Sequence, residues 1–177
     1  MPTVSFRKAI ARVALLACLI WVAACDPVMG TGAGNPPDLS KYIRVDPTAQ
    51  VVVLTLVAGY PAGDYQFNYN GYAGGQLVIT VPSGWHATVQ CENRSTIPNS
   101  CAVVAGRNDT APLAVGWSTQ DPLHGLDPGQ SGSFEFDPLT PGSLRIASLV
   151  KGSEASGMWA DLEITAQGVP SMAAPGS

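Results

Sequence analysis

Residues 65–104 read YQFNYNGYAGGQLVITVPSGWHATVQCENRSTIPNSCAVV. After the glycines of GYAGGQ, which precede a strand pattern and read as a turn, the chain alternates around Val78 and Thr80. Pro82, with no backbone N–H to offer a sheet, ends that run. Beyond the Ser83-Gly84 turn, Trp85, Ala87, Val89 and Cys91 share one face and His86 falls on the other. Pro98 makes a second break, after which Asn99, Cys101 and Val103 again share a face. A period of two interrupted by Pro and Gly is the pattern of short strands that each bury one side.

The pattern extends in both directions. VVVLTLVAG (residues 51–59) is a continuous β-branched run, and SGSFEFD, SLRIASL and MWADLEITA follow the quoted stretch. Seven or eight such strands predict an all-β, Greek-key β-sandwich. Only 12% of residues are charged while Gly numbers 19 and Pro 15, a composition that suits turns better than long helices. No helix-length amphipathic segment follows residue 41, and no repeat at a fixed period is present. With 177 residues the chain has room for one domain and a processed or tethered end.

That end is the N-terminus. Arg7, Lys8 and Arg12 precede the apolar run Val13–Ala24, which is short for a bilayer span and has the length of a secretory signal. Its tail, Val22-Ala23-Ala24-Cys25, resembles the bacterial lipobox, in which the cysteine thiol is diacylated and becomes the first mature residue. Acyl chains contribute about 0.8 kcal/mol per buried methylene, so two or three of them anchor a protein stably. Asp26 resembles the inner-membrane retention signal of some bacterial lipoproteins, which places the protein on the outer face of the cytoplasmic membrane, in the periplasm. The expected organisation is a signal at 1–24, a Pro- and Gly-rich lipid-anchored linker at 25–41, the domain at 42–168 and a disordered tail at 169–177. The formal net charge is −4, and without the three basic residues of the signal it becomes −7, which disfavours nucleic acid as a partner.

Of four cysteines, Cys18 leaves with the signal and Cys25 takes lipid, so Cys91 and Cys101 remain. Two exported thiols read first as a disulfide, and the other reading is a reduced pair serving as metal or redox ligands. Both project inward from their strands, on either side of one connecting loop.

The residues Phe67-Asn68-Tyr69-Asn70-Gly71, the Val81-Pro82-Ser83-Gly84-Trp85 turn, Asn93 and the Ile97-Pro98-Asn99-Ser100 segment resemble a sulfocyanin, a membrane-associated blue-copper cupredoxin related to rusticyanin. SLVKGSEASGMWADLEI (residues 148–164) is similar to the family's ligand loop and final strand, and the resemblance covers residues 45–164. It implies a cupredoxin-like sandwich. It also implies that the first copper His falls at Asn99, the thiolate Cys at Ser148, the second His at Ser153 and the axial Met at Met158. Three of the four are changed, while the spacing of five from Ser148 to Ser153 and from Ser153 to Met158 is kept. Type 1 copper requires two imidazoles and a thiolate, with Met only as a long axial ligand. No metal is therefore expected, and if copper does bind, Met158 is the ligand that remains. Met158 also reads as a core side chain beside Trp159.

The two histidines make no defined metal site: His86 is on the outward face of its strand, and His124 lies in a Pro- and Gly-rich loop near Asp121 and Asp127. There is no Gly-x-Ser-x-Gly elbow, no His-Glu-x-x-His and no phosphate-cradling Gly-Lys-Ser, so no enzyme is expected. The leading expectation is a lipid-anchored sulfocyanin-like protein that has lost its copper site and serves as a non-catalytic binding or accessory module. Its resemblance implies respiratory or copper-handling protein partners. The alternative is a copper-binding electron carrier with unusual coordination, one form of which uses Met158 beside a reduced Cys91 and Cys101 pair.

Overall fold

A computed structural model describes residues 37–61 and 67–175. The signal, the lipobox and Cys25 lie outside the described residues. Nine strands occur among them: β1 (Ile43–Asp46), β2 (Val51–Ala58), β3 (Val78–Pro82), β4 (His86–Asn93), β5 (Ala102–Val104), β6 (Ser131–Phe136), β7 (Gly142–Ala147), β8 (Trp159–Thr165) and β9 (Ser171–Ala173). They form two sheets, one in the order β1-β2-β4-β6 and the other β5-β7-β8-β3-β9. β2 and β4 run parallel in the first sheet, as do β3 and β8 in the second. Between β2 and β4 the chain passes through β3 in the other sheet, and between β3 and β8 it passes twice through the first sheet, as β4 and β6, so it crosses between layers as a Greek-key sandwich does.

The alternation read from the sequence faces the core between the sheets. Val52, Leu54 and Leu56 on β2, Ile79 and Val81 on β3, Ala87, Val89 and Cys91 on β4, and Ala160, Leu162 and Ile164 on β8 are all buried. β1, antiparallel to β2, was not among the runs read as strands, and two further elements were not anticipated. Ser171–Ala173, expected as tail, pairs antiparallel with β3, setting Met172 opposite Ile79. Leu39, expected in the linker, is buried in the core from a 3-10 turn (Leu39–Tyr42) capped by Asp38. Among the described residues, secondary-structure elements occur from Leu39 to Ala173. A three-residue strand and a lone Leu are too short to show a period, and only the partner surface makes them regular.

β5 also departs from simple alternation, because all three of its residues are buried. Ala102 and Val104 form a small second cluster with Ala147 and Leu149, covered by Trp159. The long excursion from β5 to β6 flanks this edge strand: Val103 N donates to Trp117 O at 2.9 Å and Thr119 N to Cys101 O at 2.9 Å. Cys91 and Cys101 form the expected disulfide, tying β4 in one sheet to the residue before β5 in the other.

The turn at GYAGGQ has a steric reason. Gly75 has φ +80°, and a Cβ there would come within 2.2 Å of the Trp159 ring, so a side chain would displace the ring that covers the second cluster.

Candidate functional site

At the end of the sandwich where β4 finishes, two segments meet: residues 93–101, and the loop from β7 to β8 that contains Ser148, Ser153 and Met158. Asn99, Ser148, Ser153 and Met158 are all buried, at 0%, 1%, 2% and 0% exposure. The loop is closed at its base by its own backbone. Ser148 N donates to Met158 O at 3.0 Å, and Met158 N donates to Ser153 O at 3.0 Å. Gly157, with φ 105°, ends the short 3-10 turn Glu154–Ser156 in a conformation suited to Gly, which returns the chain to β8.

The two segments are joined by hydroxyls. Ser100 N donates to Ser148 Oγ at 3.2 Å, the two serine oxygens are 3.5 Å apart, and Leu149 N donates to Ser100 Oγ at 2.9 Å. Tyr69 donates its hydroxyl to Ser100 O, and burial raises the pKa of this phenol, so it stays neutral. Asn99 Nδ2 donates to Ser95 Oγ at 2.7 Å and to Ile97 O at 3.2 Å, while its Oδ1 is buried with no protein partner. Asn93 organises this segment by donating to Ile97 O and Leu126 O and accepting from Ser95. In the middle of the loop, Glu154 Oε1 accepts from Arg145 Nη1 at 3.0 Å and Oε2 from Asn108 N at 2.8 Å. Arg145 stacks over Trp159, 3.7 Å from the ring centroid.

The profile of the sulfocyanin (SoxE) domain matches residues 39–173, from the 3-10 turn that begins at Leu39 to the end of β9. The chain belongs to the sulfocyanin family. Sulfocyanin of Sulfolobus acidocaldarius is 28% identical over 125 residues, covering 64% of this chain and 63% of that protein. The chain thus spans less than two thirds of that relative's length. Two crystal structures of rusticyanin variants share the fold: one at TM-score 0.51 and 15% identity, covering 72% of this chain and 89% of the other, the second at 0.50 and 14%, covering 72% and 90%. The sandwich is cupredoxin-like.

Sulfocyanin-family membership implies copper, and the donor set can be tested against it. The four positions offer one amide, two hydroxyls and one thioether. Ser148 Oγ is already engaged by Ser100, and neutral hydroxyl and amide oxygens are poor substitutes for thiolate and imidazole. Among the described residues no group of three or more His, Cys, Asp and Glu could hold a metal ion. His86 sits at the far end of β4 from Asn93, with Nδ1 2.8 Å from Asp137 and Nε2 3.6 Å from Glu135. His124 is exposed, 3.9 Å from Asp127. The Cys91–Cys101 pair is a disulfide and supplies no thiolate beside Met158. The residues present do not fit a type 1 copper ion.

Ser95, Ser100, Arg145 and Glu154 were not legible as parts of this site. Serines are too common to signal a role, and a pairing across 9 positions through a loop leaves no periodic trace.

Proposed function

We propose that this sulfocyanin-family chain is an exported protein, lipid-anchored through Cys25, whose cupredoxin-like domain has lost three of four type 1 copper ligands. It acts as a non-catalytic binding or accessory module at the outer face of the cytoplasmic membrane. The observation that carries this reading is the mutual engagement of Ser100 and Ser148, which occupies the side chain at the thiolate position with protein hydrogen bonds. Anchoring is supported by the basic and apolar N-terminus ending in Val22-Ala23-Ala24-Cys25. Partners in respiratory or copper-handling systems are suggested by the family.

Copper loading tests the central claim. Purified protein incubated with Cu(II) and desalted is expected to retain well below one equivalent and to show no intense visible band. One tightly held equivalent would defeat the lost-site reading. Cys25→Ser tests the anchor, with release into the soluble fraction or accumulation of unprocessed precursor expected. A signal-cleaved variant that stays in the membrane would refute lipidation at Cys25.

A further inference from the structure

The loop from Ser148 to Met158 corresponds to the family's ligand loop with two of its three ligand positions changed, and it remains closed. We propose that the Arg145–Glu154 pair is a protein-only fastening that holds this loop shut and keeps its outer surface ordered without metal. The proposal rests on the lost-site reading above and goes beyond it by naming what replaced the ion.

Four segments meet around the Arg145–Glu154 pair. Arg145 comes from β7, Asn108 from the chain after β5, Trp159 from the start of β8, and Glu154 itself from the middle of the loop. Both carboxylate oxygens are used, one by a guanidinium nitrogen at 3.0 Å and the other by a backbone N–H at 2.8 Å. The pair is shielded, with side-chain exposures of 21% for Arg145 and 12% for Glu154. Breaking such a pair leaves a poorly solvated charge behind, which makes it a stronger tie than an exposed ion pair. Stacking on Trp159 fixes the guanidinium plane, so little further side-chain order is needed to form the contact.

Position matters as much as strength. The backbone bonds between Ser148 and Met158 close the loop at its base, and neutral hydroxyl bonds line its inner side. The Arg145–Glu154 contact is the one ion pair among the described residues that reaches the loop. It grips the head of the Glu154–Ser156 turn, across the loop from its base. With base and middle both held, the exposed residues Lys151, Gly152, Ala155 and Ser156 form a fixed surface. A binding module gains from such order, because a preorganised loop loses less entropy when a partner docks.

Backbone amide exchange on the purified protein tests the idea. Glu154→Gln keeps the side-chain shape and removes the charge. The amides of Ser148, Gly157 and Met158 should then exchange about tenfold faster, while those of β2 and β4 hold their rates. Arg145→Met should accelerate the same amides at least as much, since it also removes the stack on Trp159, and the double variant should be no faster than Arg145→Met, because the ion pair is already lost in it. Cu(II) should leave the loop amides of the unaltered protein unchanged. Unchanged loop exchange in Glu154→Gln, acceleration spread evenly over every strand, or additive effects in the double variant would each overturn the fastening. Tight binding of one copper, with the Glu154→Gln pattern intact, would instead defeat the lost-site reading alone.

Discussion

Replacing Asn93 is the sharpest test of how the site segment is held. Asn93 is 1% exposed at the end of β4 and uses its full amide. Nδ2 donates to Ile97 O at 2.8 Å and to Leu126 O at 2.7 Å, and Oδ1 accepts from Ser95 N at 3.0 Å and Ser95 Oγ at 2.8 Å. In Asn93→Ala the two carbonyls keep other donors, because Ile97 O also accepts from Ser95 Oγ and Leu126 O from Asn99 N. Ser95 N alone is stranded. The Ser95 hydroxyl keeps Ile97 O as its acceptor, so the two bonds donated by Nδ2 at about 1 kcal/mol each, with about 1–3 kcal/mol for the buried unpaired Ser95 N–H, give a destabilisation of about 3–5 kcal/mol. Urea unfolding should show it as a lower midpoint with an unchanged slope. Asn93→Asp adds a pH arm, since the new carboxylate faces the two carbonyl oxygens and its folded pKa must rise above the ordinary value of about 3.9. The folded state then binds the proton more tightly than the unfolded state. Relative to the unaltered protein, the variant is therefore least impaired below about pH 4 and loses stability as pH rises through the folded pKa. A loss under about 1 kcal/mol in Asn93→Ala, or a pH-independent deficit in Asn93→Asp, would refute this account.

Removing both disulfide cysteines together, Cys91→Ala with Cys101→Ala, should destabilise by about 3 kcal/mol, the loop-closure expectation for a separation of 10 residues. Mass spectrometry of non-reduced protein should find no alkylatable thiol at either position. Gly75→Ala should lower stability by about 2 kcal/mol or more, read as a thermal midpoint shift, because the methyl group meets the Trp159 ring. The triple change Asn99→His, Ser148→Cys, Ser153→His should restore a blue centre with Cu(II), seen as intense absorption toward the red end of the visible, while each single variant stays colourless. A colourless triple variant that folds normally would show that the three positions do not converge.

Sequence alone determined the sandwich, since Pro and Gly cut the chain into runs whose period of two places Trp85, Ala87, Val89 and Cys91 inside and His86 outside. Residue identity by itself also says that Asn99, Ser148 and Ser153 are neither imidazole nor thiolate. Tertiary structure decided what stands there instead. The bonds of Ser100 to Ser148, of Asn99 to Ser95 and of Glu154 to Arg145 and Asn108 join segments from different strands and loops. No local pattern announces them. The same holds for β9, whose three residues become a strand only because β3 presents an open edge, and for Leu39, which is core only because the sheets leave a place for it. Period and chemical type are properties of neighbouring residues and can be read along the chain, whereas pairing across a fold is settled only when packing brings distant groups within bonding distance.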